Sequence, residues 1–223
     1  MNRAFLPLVM GIAGFAVLLS LGIWQTQRLA WKEGMLAEIE ARIADSPRPL
    51  TEVLPTPTEF APVTAEGRFL EGEAHVLSSI KGIGAVFRVI APFEVEGGPT
   101  ILVDRGWVQQ TRKDEARPIG PAAITGNFRT PEEVDGFTPD PDLAANYWFA
   151  RDVPALAEAL GTDPILVILR NSSESDPSVT PMPVDTAGIP NDHLQYAITW
   201  FSLAAIWVLM TGAYLIRLRR RTD

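Results

Sequence analysis

Two long uncharged segments, one near each end of the chain, constrain the fold most. Residues 4–27 and residues 194–216 contain no Asp, Glu, Lys, Arg or His over 24 and 23 positions. At about 1.5 Å per residue, a helix of either length spans the roughly 30 Å apolar layer of a bilayer. A cleaved signal peptide is the alternative for the first segment, but its apolar core is only roughly 7 to 15 residues long. We therefore predict two transmembrane helices.

The basic residues next to these segments predict their orientation. They lie on the terminal sides of the two segments: Arg3, Arg217, Arg219, Arg220 and Arg221. Positively charged residues near membrane ends stay cytoplasmic. We therefore expect both termini in the cytoplasm and the central part of the chain in the periplasm.

The central part, residues 28–193, is acidic. It carries 14 Lys and Arg against 26 Asp and Glu, a net charge of −12. A surface of this charge repels nucleic acid and anionic lipid headgroups, which leaves a protein or an apolar ligand as the expected partner. The chain has no Cys, so a disulfide framework and thiolate metal ligands are excluded.

Proline and charge patterns divide the chain into six segments. A helix continues past the first span to about residue 42, and prolines make residues 46–62 a non-helical linker. The expected segments are a first transmembrane helix (1–27), a helical stalk with a Pro-rich linker (28–62), a β-rich domain (63–171), an irregular return segment (172–192), a second transmembrane helix (193–216) and a basic cytoplasmic tail (217–223).

Short β-rich runs separated by Gly and Pro fill the central domain and predict a small barrel or a sandwich, an α+β unit with one helix. The runs are residues 63–69, 74–79, 86–95, 100–109, 122–129, 147–151 and 165–170. The helix is expected at residues 153–160, where Asp152 caps the start, Pro154 lies in the first turn and Gly161 closes the end.

Catalytic motifs are not apparent in the sequence. The two histidines, His75 and His193, are far apart in the chain, and the carboxylates lack metal-ligand spacing. We expect a protein that is not an enzyme, with His75 as a structural residue in a strand.

Aromatic and polar residues share a helical face where each apolar segment meets water. These residues are Trp24, Arg28 and Trp31 on the first helix and His193, Tyr196, Ala197 and Trp200 on the second. Spacing alone favours an interfacial belt in which Arg28 meets lipid phosphate and His193 only begins a helix. The alternative is that His193 ligates haem iron, the aromatic rings flank the haem and Arg28 neutralises a propionate.

Three blocks of sequence carry a family resemblance. They are Leu-Gly-Ile-Trp-Gln at 21–25 followed by Arg28, Leu29, Trp31 and Lys32, then Leu-Val-Asp-Arg-Gly-Trp-Val at 102–108, and the run at 191–200. Together they resemble the Surfeit-locus (Shy-type) family of cytochrome c oxidase assembly factors, in the same order and over nearly the whole chain. The family usually has Asn where this chain has Asp104 and Asp192.

The resemblance implies a function without a catalysed reaction. It implies a bacterial inner-membrane protein that binds haem a and assists its insertion into oxidase subunit I. The implied partners are subunit I, haem a synthase and the lipid bilayer, with no nucleic acid. A haem-independent chaperone of subunit I and a two-span sensor of a periplasmic ligand remain as alternatives.

The resemblance also assigns residues. His193 matches the family histidine beside the second span, so haem ligation becomes the favoured interpretation, with Tyr196 and Trp200 beside it. Trp24, Arg28, Arg105 and Trp107 match motif positions of unassigned role. Strand alternation places Arg105 and Trp107 on one face, where structural packing is the favoured interpretation.

Overall fold

The computed structural model describes residues 4–131, 133–175 and 178–220. Among the residues used above, Arg3 and Arg221, which support the predicted orientation, and Asp176 and Pro177 of the return segment lie outside these ranges. The chain divides into two compact units. The helical unit comprises the described residues of Met1–Glu38 and Thr186–Asp223, and the barrel unit is Ile39–Asp185.

Two long antiparallel helices build the helical unit. Helix α1 runs over Phe5–Ala44 and helix α4 over His193–Arg220. The first helix continues past its apolar segment without a break, as the sequence predicted. Both helices are long and apolar enough to cross a membrane, and their large apolar side chains point outward along most of this length. Such a surface is unfavourable in water and suited to lipid.

The described residues of the barrel unit form seven strands. They are β1 (Arg48–Pro49), β2 (Pro62–Phe69), β3 (Ala74–Ile80), β4 (Gly84–Val95), β5 (Thr100–Gln109), β6 (Gly120–Arg129) and β7 (Leu166–Ser172). The neighbours run in the order β1-β2-β6-β7-β5-β4-β3, and a second pairing of β2 with β4 closes the sheet. A five-stranded barrel of β2, β6, β7, β5 and β4 results, which decides between the barrel and the sandwich. Only β5–β7 within the barrel is parallel.

Strands β4 and β5 are buried on both faces. Phe93 and Val103 point into the barrel, where Phe69 lies edge-on to Phe93 with ring centroids 4.9 Å apart. Ile90 and Leu102 point the other way, against helix α3 (Val153–Leu160). Burial on both sides explains why these strands read as nearly continuous apolar runs.

Helix α3 has the caps that the sequence predicted. The Asp152 carboxylate accepts a hydrogen bond of 3.1 Å from the Ala155 N–H, Pro154 lies in the first turn, and Gly161 ends the helix in the left-handed conformation at φ 66°. These are local features, so they could be predicted from sequence neighbours.

Two expectations about the barrel unit are wrong. Residues 147–151 form only isolated bridges, in which Trp148 pairs with Val76 and Tyr147 with Asp142. The Pro-rich linker is not irregular throughout, because helix α2 (Leu50–Val53) lies at its centre and buries Leu50 in the barrel core. The burial of Leu50 in the barrel core outweighs the preference of the flanking prolines for non-helical structure.

Candidate functional site

Glycines bring α1 and α4 into close contact. A Cβ atom at Gly11 would overlap the Thr211 side chain, and one at Gly22 would lie 2.5 Å from the Phe201 ring. Nearby, the Trp207 indole N–H donates to the Gly11 carbonyl at 3.0 Å. Small residues allow helices to approach closely in lipid, where packing drives their association. This antiparallel register determines which residues of α1 and α4 face each other at the other end of the helix pair.

We expect Gly22→Leu to separate the two helices. The added side chain would overlap Phe201, and such overpacking costs about 1–3 kcal/mol. Because the chain has no native Cys, a Gly11→Cys/Thr211→Cys pair reports helix contact by disulfide formation; the Gly11 Cβ position lies 3.3 Å from the Thr211 Cβ. The rate of crosslinking should fall at least about fivefold in the Gly22→Leu background.

Gly34→Leu is the matched control for this experiment. Gly34 lies in the same helix, and a Cβ atom there has nothing within 4 Å. Crosslinking in this background should equal that of the parent Cys pair. If Gly22→Leu also crosslinks at the parental rate, close packing at Gly22 does not hold the helices together.

His193 is the first residue of α4 and is hydrogen-bonded to α1. Its Nδ1 lies 2.8 Å from Oε1 of Gln25, which is 8% exposed. An amide oxygen can only accept, so Nδ1 carries the proton and donates. In the neutral ring the second nitrogen, Nε2, then holds the lone pair. That is the tautomer a metal-ligating histidine requires, with its other nitrogen tied to a carbonyl-type acceptor.

The aromatic residues that the sequence predicted to lie near this histidine expose much of their surface. Trp24 and Tyr196 are 52% and 55% exposed, and Trp200 is half-buried. The Arg28 guanidinium is exposed and stacks 3.9 Å above the Trp31 ring. Exposed rings and a stacked cation provide an apolar surface with one positive charge, which suits a flat apolar ligand with an acidic group. Roles of these residues in cofactor binding stay predictions.

The turn that leads into α4 is also fixed to α1. Lys32 donates a hydrogen bond to the Pro190 carbonyl, and the Tyr196 N–H donates to the Asp192 carbonyl at 3.1 Å in the first turn of α4. The side-chain oxygen Oδ1 of Asn191 is buried without a hydrogen-bond partner among the described residues. The start of α4 is therefore held in place, and among the described residues it keeps one polar atom without a partner two positions before His193.

The sequence pattern did not identify Gln25 as the partner of His193. The residue was visible as an amide inside an uncharged segment, and polar side chains in such segments commonly have a partner or a function. Its partner could not be identified because His193 is 168 residues away. The helical face that packs on α4 contains Gly11, Gly22 and Gln25, whereas Trp24 and Trp31 point outward.

Arg105 and Trp107 belong to the barrel unit and do not share a face, so that expectation is wrong. Strand β5 contains a β-bulge, in which Arg105 is an extra residue between Asp104 and Gly106. An extra residue interrupts the alternation of side chains. Arg105 is 1% exposed, and its guanidinium stacks 4.3 Å from the Phe69 ring in the core. Trp107 is half-buried on the other face.

The return segment after β7 is held against this bulge. Trp107 and Thr180 exchange backbone hydrogen bonds of 2.8 and 2.9 Å, and a Cβ atom at Gly106 would overlap the Thr180 carbonyl oxygen. Arg105 donates to the Glu174 carboxylate at 2.7 Å. Burial lowers the pKa of Arg105, and the negative charge of Glu174 opposes this. The Arg-Gly-Trp motif therefore anchors the irregular return segment to the barrel.

A second buried network surrounds Asp104. Its carboxylate accepts from Arg88 at 2.6 Å and from the Gly106 N–H at 3.2 Å, and Arg151 lies 3.7 Å away. Burial raises the pKa of Asp104, and the positive charges of Arg88 and Arg151 oppose this. Burial alone would also raise the pKa of Glu133, but its hydrogen bonds with Arg151 outweigh burial and lower it.

His75 has the structural role that the sequence predicted. It is 3% exposed, its Nε2 donates to Glu73 at 2.8 Å, and its Nδ1 accepts from the Asn146 amide at 3.2 Å. Arg117 pairs with the same Glu73 oxygen. Both ring nitrogens are occupied, so His75 has no free nitrogen for a ligand.

Comparison with known proteins decides the family. The family model described as the SURF1 family matches residues 12–205. The chain belongs to the SURF1 family. Membership confirms the resemblance carried by the three sequence blocks, and it is consistent with a role in cytochrome oxidase assembly. The two apolar terminal helices fit a membrane protein of this family.

Relatives of this SURF1-family chain occur in animals and bacteria. Surfeit locus protein 1 of Xenopus tropicalis is 32% identical over 217 residues, covering 83% of this chain and 68% of the relative. The human Surfeit locus protein 1 is 29% identical, covering 83% and 69%. The SURF1-like protein of Rickettsia bellii is 27% identical, covering 90% and 87%. The family match, over residues 12–205, therefore spans the barrel unit and part of both long helices.

Proposed function

We propose that this chain is an assembly factor for cytochrome c oxidase that binds haem a through His193 and assists its insertion into subunit I. One observation carries the haem part of the proposal. The Gln25 hydrogen bond holds the His193 proton on Nδ1, so Nε2 is available as an axial ligand. Haem a is the cargo here, and the chain itself catalyses no reaction.

Exposed aromatic and basic side chains on the two helices fit such a cargo. Trp24, Tyr196 and Trp200 offer apolar rings for a porphyrin face, and Arg28, stacked on Trp31, offers a cation for a propionate. The buried Oδ1 of Asn191 has no partner among the described residues, so it can accept a hydrogen bond from a bound group.

The location follows from the same proposal. Two apolar helices anchor the chain in the bacterial inner membrane, with both termini in the cytoplasm and the acidic barrel unit in the periplasm. His193 would then lie where α4 enters the bilayer from the periplasmic side. Subunit I is the proposed recipient, and haem a synthase is a proposed donor. The net charge of the central part disfavours nucleic acid.

His193→Ala should abolish haem binding. The variant removes the Nε2 atom that would coordinate the iron, and the Ala side chain has no atom that can replace it. The full-length protein, isolated from cells that make haem a, should show a Soret band in the wild type and none in the variant. Added imidazole should partly restore the band in His193→Gly, because the free base can replace the missing ring.

Gln195→Ala is the matched control, since Gln195 is exposed on the same turn of α4. It should keep the wild-type spectrum. A His193→Ala protein with the wild-type haem content and unchanged axial ligation would contradict haem binding through this residue.

A second candidate function is a haem-independent chaperone of subunit I. The observation that favours it is again the Gln25 bond, because helix pairing alone gives His193 a structural role. This function predicts that the protein copurifies with subunit I in cells that cannot make haem a. A wild-type protein without haem at any stoichiometry, from cells that make haem a, would favour it.

A further inference from the structure

We infer that Gln25 is a positioning residue, which sets the tautomer of His193 and the electron density of its Nε2. The inference rests on the proposed haem binding, and it adds a residue on the opposite helix to the site. Gln25 does not touch the cargo in this proposal. It acts through the imidazole.

The burial of Gln25 is the first argument. Gln25 lies in the uncharged segment of α1 and is 8% exposed. An amide in apolar surroundings without a hydrogen bond costs free energy, so a buried amide requires a partner. The hydroxyls of Ser20 and Thr26 have hydrogen-bond partners within α1. They donate to the carbonyls of Val17 and Ile23. Gln25 instead reaches across to His193.

The direction of this hydrogen bond is the second argument. With Oε1 of Gln25 facing Nδ1 at 2.8 Å, Nδ1 donates, and in the neutral imidazole Nε2 is unprotonated. The reverse arrangement, with the amide NH₂ donating to Nδ1, would leave the proton on Nε2. A protonated Nε2 cannot ligate a metal. The two arrangements therefore make opposite predictions about ligand binding.

The rigidity of the helix pair is the third argument. The contact of Gly22 with Phe201 lies one turn before Gln25, and Ala197, which is 2% exposed, lies one turn after His193. These small residues hold the two helices close enough for the Gln25 amide to reach the ring. Lys32, bonded to the Pro190 carbonyl, holds the chain just before α4.

The strength of the hydrogen-bond acceptor at residue 25 should determine how strongly the His193 imidazole donates electrons to the iron. A better acceptor at Nδ1–H makes the imidazole a stronger electron donor, which stabilises ferric over ferrous iron. Loss of the acceptor has the reverse effect. Gln25→Glu and Gln25→Leu therefore shift the reduction potential of the bound haem in opposite directions, down and up. A side chain that only filled space would not produce opposite shifts.

The first test needs no haem. Full-length protein with ¹⁵N-labelled histidine, in detergent without haem, reports the tautomer of His193 by its ring nitrogen shifts; a His193→Ala sample assigns the signals. We expect the proton on Nδ1 in the wild type and in Gln25→Glu, and loss of this preference in Gln25→Leu. A wild-type proton on Nε2 would overturn the inference.

The second test uses the haem-loaded protein. Gln25→Leu should bind haem a about 10- to 100-fold more weakly than the wild type, and Gln25→Glu should retain binding with a lowered potential. Gln27→Leu is the matched control, because Gln27 is exposed two residues along the same helix. The Gly11→Cys/Thr211→Cys crosslink verifies that the helices still pair in each variant.

The outcomes separate the two proposals. Haem binding that survives His193→Ala contradicts the proposed function itself. Haem binding that needs His193 but has the same affinity and potential in all Gln25 variants contradicts only the positioning role of Gln25.

Discussion

Replacing Asp104 by Ala should lower the free energy of unfolding of the barrel unit by about 3–5 kcal/mol, because it leaves buried positive charge without its partner. Asp104 is fully buried, and Arg88 donates to it at 2.6 Å. The other nitrogens of Arg88 contact Met182, whose backbone oxygen lies at 3.4 Å and carries no charge. Among the described contacts of Arg88, Asp104 is the carboxylate that pairs with it directly, whereas Glu133 acts on it only through its charge.

The Asp104 prediction can be measured by chemical denaturation of the full-length protein in detergent, followed by tryptophan fluorescence. Glu94→Ala is the matched control. Glu94 also pairs with an arginine at 2.6 Å, but its side chain is 46% exposed and that of Arg68 is 59% exposed. Exposed pairs contribute about 0–1 kcal/mol. Equal losses in the two variants would show that burial does not determine the contribution of Asp104.

Asp104→Asn introduces the Asn that the family resemblance implies for this position. Asn keeps the shape and one acceptor oxygen but removes the negative charge. We expect a loss between those of Glu94→Ala and Asp104→Ala, since Arg88 keeps a hydrogen bond and loses its counter-ion. The same denaturation experiment compares all three variants.

Replacing Gly106 by Ala should lower the free energy of unfolding by about 2–5 kcal/mol, from backbone strain and overpacking together. Gly106 has φ 127°, a backbone conformation that residues with a Cβ atom rarely adopt. The added methyl group would also overlap the Thr180 carbonyl oxygen. The return segment must then move off strand β5, which breaks the two hydrogen bonds between Trp107 and Thr180.

Gly120→Ala separates these two causes. Gly120 has φ 129°, almost the same as Gly106, but a Cβ atom there has nothing within 4 Å. It should show only the cost of strain, about 1–3 kcal/mol. Limited proteolysis should cut the return segment, residues 173–192, faster in Gly106→Ala than in Gly120→Ala. Equal stability and equal cleavage in the two variants would mean that Thr180 is not held at Gly106.

The contacts of the Arg-Gly-Trp motif indicate a structural role. Arg105 holds Glu174, Gly106 admits Thr180, and Trp107 pairs with it, so all three fix the chain that leads from β7 towards α4. The motif is separate in sequence from the histidine block. A family motif can therefore be explained by the path of the chain, without contact to a ligand.

The sequence indicated only some of the residues in the candidate site. Sequence spacing placed Trp24, Arg28 and Trp31 on one face of α1, and that set did not include Gln25, which contacts His193. Helical periodicity states which residues share a face. It does not state which face packs against another helix, because that depends on the glycines of α1 meeting the large side chains of α4.

Local patterns in the sequence determined both long helices, the caps of α3 and six of the seven predicted strands, because these depend on neighbours a few residues apart. Four features became visible only in the folded chain: the closure of the barrel, the bulge at Arg105, the burial of Asp104 with Arg88, and the bond between Gln25 and His193. Each depends on partners from distant parts of the chain, 168 residues apart in the last case. Packing of whole elements, and no local preference, brings such partners together.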